Sequence, residues 1–156
     1  MQLFNDHNLY HVAEVELTYK NKQDHGGRIK INDPNDSYNV FYHAWDHNRI
    51  DLVEQFKILL LKSNSCLGIA EIATGGTASC PVDPKMVFST ALKANAASII
   101  LAHNHPSGNL KPSKEDIAIT RKLCEGGRLL DITILDHLII TSHGYTSLLD
   151  KGLMPV

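Results

Sequence analysis

Six consecutive residues, Phe56–Leu61 (FKILLL), place five large apolar side chains around one lysine. A half-solvated strand alternates apolar and polar positions, whereas a run this dense needs cover on both faces, as an interior strand of a layered sheet has. ASIILAHNH (residues 97–105) and DITILDHLIIT (residues 131–141) have the same character, and GIAEIATGG (residues 68–76) reads as a strand ending at glycines. Between them stand helix-like segments. Asp83 and Pro84 supply an N-cap and first-turn pair for a helix to about Asn95, and SKEDIAITRKLCEGG reads as a helix stopped by Gly126 and Gly127. Earlier in the chain, Ser37 is placed to cap a helix that carries Val40, Phe41, Ala44 and Trp45 on one side. Strands alternating with helices predict an α/β (α+β) fold, a mixed sheet flanked by helices, with a strand-helix-strand crossover between Asp83 and His105. Sheet order does not follow from this pattern.

The N-terminal segment reads differently. HVAEVELTY (residues 11–19) alternates imperfectly, as an edge strand does, and a polar, linker-like stretch follows from Lys20 to Ser37. The expected organisation is an N-terminal strand or hairpin arm over residues 1–40 and one domain over residues 41–156. A chain of 156 residues with 43% hydrophobic content can bury a core without disulfides or structural metal, so any metal would serve chemistry. The net charge of −2 draws the whole protein neither to nucleic acid nor to an acidic membrane. Cys66, Cys80 and Cys124 form no CxxC pair and read as buried, reduced thiols. The N-terminus lacks the order of a signal peptide, and no apolar run reaches the ~18 residues that span a bilayer, so a cytoplasmic protein is expected.

The segment LAHNHPSGNLKPSKED (residues 101–116) carries the chemistry. Side chains two apart on a strand point to one face, so His103 and His105 can aim two imidazoles at one point. Either histidine can equally be a polar residue at a strand end. Ser113 followed three residues later by Asp116 matches a capping box, which puts the carboxylate in the first helical turn. That position favours an acid with or without metal. Two histidines and one carboxylate would leave a fourth tetrahedral position open, as in catalytic zinc sites. Glu54, Glu71, Glu115, Asp131 and Asp136 are all candidate bases, and spacing alone does not choose among them.

HNHPSGNLKPSKED fits the H-x-H-x7-S-x2-D pattern of the JAMM (JAB/MPN) metal-dependent proteases, and the text from about Trp45 to the C-terminus resembles their RadC-like branch. The passages that carry the likeness include EQFKILLL, KANAASIILAHNHPSG, PSKEDIAITRKL and LDHLIIT. The resemblance implies a JAB/MPN domain with an architecture similar to that of the cytidine deaminases. It implies zinc held by His103, His105 and Asp116, with Ser113 as the motif serine. Glu54 corresponds to the family's upstream glutamate and would be the general base, with Glu71 the competing assignment. Peptide or isopeptide hydrolysis by metal-activated water is the implied reaction, and a peptide or protein the implied substrate.

The historical naming of RadC proteins as DNA repair proteins, with Lys111, Lys114, Arg121, Lys122 and Arg128 near the motif, supplies the alternative of a DNA-associated module without proteolytic activity. The residue-level reading of those cations is a solvated helix face, and no membrane partner is expected. His137 lies inside the resemblance, either supporting the metal site or simply buried and hydrogen-bonded. His7, His11, His25, His43, His47 and His143 read as surface histidines. Ser113 carries two candidate roles, helix cap and donor to an oxyanion, expected to compete for its one hydroxyl.

Overall fold

A computed structural model describes residues 27–77 and 80–155. Helix α1 (Pro34–Ala44) is followed by strands β1 (Gln55–Lys62) and β2 (Ser65–Thr74), helix α2 (Pro84–Lys93) and strand β3 (Ser98–Asn104). Helix α3 (Lys114–Leu129) and strands β4 (Thr133–Thr141) and β5 (Gly144–Ser147) follow, the last elements among the described residues. The strands form one mixed sheet in the order β2-β1-β3-β4-β5, in which only β3 and β4 run parallel. The expected mixed sheet with flanking helices is the one found. The chain from β2 through α2 passes over β1 to reach β3, and α3 makes a second crossover between the parallel neighbours β3 and β4.

The apolar runs are buried on both faces because helices cover both. Phe56, Ile58, Leu60, Ile99 and Leu101 pack with Val87, Phe88 and Leu123 from α2 and α3. Leu59, Leu61, Ile100 and Ala102 point the other way and pack with Phe41 and Trp45 beside α1. Lys57, the single cation in the run, is also buried, its ammonium 5.0 Å from the Trp45 ring centroid and 3.1 Å from Glu71.

Two of the three bulges in the sheet alter which face a residue near the site presents. Opposite Phe56 and Lys57, β2 pairs through Ala73 and then Glu71, so Ile72 is the extra residue. Opposite Ile99 and Ile100, β4 pairs through Ile134 and then Asp136, so Leu135 is extra. Each inserted residue reverses the alternation beyond it.

Several expectations are corrected. Helix α1 begins one turn before Ser37: Asp33 is the N-cap, accepting from the Asp36 N–H at 2.8 Å, with Pro34 in the first turn. An acid cap with proline directly after it is the stronger start signal, and Ser37 lies buried within the helix. Gly126 and Gly127 do not stop α3, which continues to Leu129. They are there for close approach: a Cβ on Gly127 would lie 2.2 Å from the Ile132 carbonyl oxygen, and one on Gly126 2.8 Å from the Phe88 ring. The three cysteines are free, as expected, but only half-buried. His43, His47 and His143 are exposed, whereas His7, His11, His25 and the strand expected in HVAEVELTY lie outside the described residues. Among the described residues no helix is long and apolar enough to cross a membrane.

Candidate metal centre

His103 is the penultimate residue of β3, opposite Phe56 on β1 and Ile139 on β4, and it is buried. Its alternation puts it on the α2/α3 face. The His105 N–H donates to the Ile140 carbonyl at 3.0 Å, continuing the β3–β4 ladder past the strand end and returning the second imidazole to that face. A turn then reverses the chain, closed by the Gly108 N–H donating to the His105 carbonyl at 3.0 Å, with Gly108 at φ +77° where a side chain would be strained. The capping box forms in full. The Asp116 N–H donates to Ser113 Oγ at 3.0 Å, and the Ser113 N–H donates to Asp116 Oδ2 at 2.7 Å, fixing the carboxylate at the head of α3.

These elements bring three donor groups together. His103 Nε2 lies 2.9 Å from His105 Nε2 and 3.0 Å from Asp116 Oδ1, and His105 Nε2 lies 3.5 Å from Asp116 Oδ2. The two imidazoles approach different oxygens of the Asp116 carboxylate, and one ligand atom from each residue lies within 4.8 Å of the others, close enough to reach a single ion. His105 Nδ1 lies 2.6 Å from the Asn109 carbonyl oxygen, which can only accept. In neutral His105 the proton therefore sits on Nδ1, and the Nε2 lone pair faces the cluster. The donor set fits a metal ion, and His103, His105 and Asp116 can hold one.

The electrostatics agree with a centre that attracts positive charge. Burial by itself would raise the Asp116 carboxyl, but the adjoining His103 and His105 rings and the Ser113 N–H hold it far below the usual carboxylate range. The carboxylate beside His105 in turn raises the imidazole pKa against the opposing effect of burial. His137 is completely buried, and desolvation, assisted by the neighbouring His103, pushes its pKa well below that of a free imidazole.

A cleft of about 770 Å³ opens beside the cluster and is lined by Glu54, Phe56, His103, His105, Ser113 and Asp116, among others. Glu54 and Ser113 thus share one cavity with the three clustered residues. Glu71 does not line it: its carboxylate accepts from Thr74 Oγ1 at 2.6 Å, Gln55 Nε2 at 2.9 Å and Lys57 Nζ at 3.1 Å. The Thr74 bond and then the Lys57 contacts lower its pKa despite partial burial. The competing glutamate therefore belongs to a separate network on the α1 face.

Two structural contributions, from Asn104 and Thr120, were not read from the sequence. Asn104, between the two histidines, points to the opposite face and is fully buried. Its Oδ1 accepts from the Gln55 N–H at 2.7 Å, and its Nδ2 donates to the Ile50 and Val53 carbonyls at 2.6 and 2.8 Å. It therefore pins the segment that carries Glu54. Thr120 lies buried one turn after Asp116 and contacts both Asp116 and His137, and His137 Nε2 reaches His103 Nδ1 at 2.8 Å. The i, i+4 spacing from Asp116 was a legible signal for Thr120. His137 is buried and hydrogen-bonded, as one of its two readings expected, and it also touches His103. Lys111, Lys114, Arg121, Lys122 and Arg128 are exposed.

The family model for the RadC-like JAB domain matches residues 31–153. A UPF0758 protein of Syntrophomonas wolfei is 48% identical over 102 residues, covering 65% of this chain and 43% of that protein. A UPF0758 protein of Methanosarcina mazei is 43% identical over 124 residues, covering 79% and 53%, and one of Clostridium botulinum is 41% identical over 136 residues, covering 86% and 57%. The chain spans about half the length of the curated relatives it matches. With a mixed sheet, a His-His-Asp cluster on its helical face and a match over most of its length, this chain belongs to the RadC-like JAB domain family.

Proposed function

We propose that the chain is a zinc-dependent hydrolase of peptide or isopeptide bonds. The observation that carries this reading is the convergence of His103, His105 and Asp116 at one wall of a cleft that Glu54 and Ser113 also line. Two imidazoles and a carboxylate suit zinc and leave a fourth position for water or substrate. When bound, zinc supplies Lewis acidity, lowering the pKa of a coordinated water to about 7 and polarising a carbonyl.

The protein's own groups do the rest. Glu54, not itself one of the ligands, takes the proton of the attacking water and delivers it to the leaving amine. Ser113 donates a hydrogen bond to the developing oxyanion. Cap and donor do not compete as the sequence suggested: the cap occupies an oxygen lone pair of Ser113, leaving the hydroxyl hydrogen free. Asp116 uses one oxygen to accept from the Ser113 N–H, which keeps the carboxylate oriented as the cluster assembles.

Metal analysis tests the ligands and peptide turnover tests the chemistry. Purified protein is expected to hold about one zinc per chain by this coordination chemistry, and His103→Ala and Asp116→Ala to lose it. Glu54→Gln is expected to keep zinc but cleave no member of a peptide library that the parent cleaves. Unchanged metal content in the two ligand variants refutes the site. Salt-sensitive DNA affinity that persists after metal removal, without peptide cleavage, favours the DNA-associated alternative.

A further inference from the structure

We infer that Thr120 and His137 form a proton-orienting relay that turns the Nε2 lone pair of His103 toward the cluster. The inference rests on the reading of His103 as a metal ligand and follows from counting hydrogens along four buried groups. Thr120 Oγ1 lies 2.5 Å from the Asp116 carbonyl oxygen and 2.7 Å from His137 Nδ1. A carbonyl oxygen only accepts, so the single hydroxyl hydrogen of Thr120 goes to it. Having spent that hydrogen, Oγ1 can only accept from the ring nitrogen, which places a proton on His137 Nδ1.

Among the described residues the ring nitrogens of His137 meet only Thr120 and His103, and the Phe56 ring packs edge-on against it with centroids 5.5 Å apart. With no carboxylate on either nitrogen and no exposure to water, His137 carries one proton. Its Nε2 is then a bare acceptor. His103 Nδ1, 2.8 Å away, must supply the hydrogen of that contact, and a neutral imidazole protonated at Nδ1 leaves Nε2 unprotonated. That Nε2 is the atom facing His105 Nε2 and Asp116 Oδ1. His105 reaches the same tautomer by another route, through the Asn109 carbonyl.

The relay begins at the backbone of Asp116, whose side chain belongs to the cluster. One residue thus provides a donor oxygen directly and, through its carbonyl, sets the tautomer of a second. Thr120 and His137 are positioning residues in this account, acting through His103. The bulge at Leu135 makes this possible, because it reverses the alternation of β4 and brings His137 onto the His103 face.

Nitrogen-15 NMR of the histidine rings in metal-free protein, at a pH where the rings are neutral, reads the tautomers without any catalytic assay. His103 and His137 are both expected as Nδ1–H. Thr120→Val removes the hydroxyl at nearly constant volume and is expected to shift His137 and His103 toward Nε2–H. It should also weaken zinc binding about 10–100-fold in competition with a chromophoric chelator, the usual cost of losing a hydrogen-bond support of a ligand. Thr120→Ser keeps the hydroxyl and is expected to restore both readouts. An Nε2–H tautomer of His103 in the unsubstituted protein overturns the inference and needs no variant to fold. So does a folded Thr120→Val protein with unchanged tautomers and zinc affinity. If the expected tautomers appear but the unsubstituted protein binds no zinc, the relay stands and the hydrolase reading falls.

Discussion

Asn104→Ala is the substitution that most directly tests how the fold carries Glu54 to the cleft. Asn104 is wholly buried and its amide makes three hydrogen bonds, to the Gln55 N–H and to the Ile50 and Val53 carbonyls. At about 1 kcal/mol net for each bond, plus about 1–2 kcal/mol for a buried N–H left without a partner, the loss is about 4–5 kcal/mol. For a chain of this size the melting temperature should fall by about 8–20 °C. Urea denaturation and calorimetry measure that loss, and hydrogen exchange at the Gln55 amide locates it. Zinc content should persist, because the ligands face the other side of β3, while peptide turnover should fall as the segment before β1 loosens.

Asn104→Asp sharpens the test by preserving volume and the acceptor for Gln55 while presenting a carboxylate to two carbonyl oxygens. Burial and repulsion should raise that acid's pKa in the folded state. A raised folded pKa means that stability is greatest at low pH and is lost as pH rises from the unfolded toward the folded value. The variant should therefore recover partly on acidification relative to the parent. A loss below about 1 kcal/mol for Asn104→Ala, well under the sum of its hydrogen bonds, with Gln55 exchange unchanged, refutes the reasoning.

Gly127→Ala should destabilise the fold by about 2–4 kcal/mol in denaturant titration, because the new Cβ would meet the Ile132 carbonyl oxygen at 2.2 Å. Helix propensity alone predicts the opposite, a gain of about 0.5–1 kcal/mol, so a stabilised variant refutes the close-contact argument. Glu71→Gln should cost about 0.5–1 kcal/mol at neutral pH, given the 41% exposure of the Glu71 side chain, and leave peptide turnover unchanged. Because the folded pKa of Glu71 is lowered, that contribution is present above the unfolded carboxylate value and lost as pH falls through the folded one. Parent and variant should converge in acid, and a stability gap that widens there contradicts the assignment. Ser113→Ala should lower stability by about 1 kcal/mol through loss of the cap. It should also cut turnover roughly 10²–10³-fold if the free hydroxyl hydrogen serves the oxyanion; loss of stability with full turnover restricts Ser113 to capping.

Much of the fold was legible because burial on both faces leaves a mark in composition. The run at Phe56–Leu61 announced an interior strand, and the spacing of Ser113 and Asp116 announced a capped helix carrying a carboxylate. Helix ends were less legible where tertiary contact outweighed local preference. Gly126 and Gly127 carry the usual signal for a helix end, yet the helix continues because Phe88 and the Ile132 carbonyl come too close for any side chain there. The faces of the site were less legible again. Regular pairing between β1 and β2 would have turned Glu71 toward the His103 side, but the extra Ile72 turns it to Lys57 and the α1 face. Likewise, regular continuation of β4 from Ile134 would have aimed His137 toward the layer of Phe41 and Trp45. The extra Leu135, half out in solvent, reverses it toward His103. An inserted residue looks like any other in a one-dimensional pattern, and only pairing with the neighbouring strand reveals it. The placement of both Glu71 and His137 therefore depends on inter-strand register, a property of two segments together that spacing within either one does not contain.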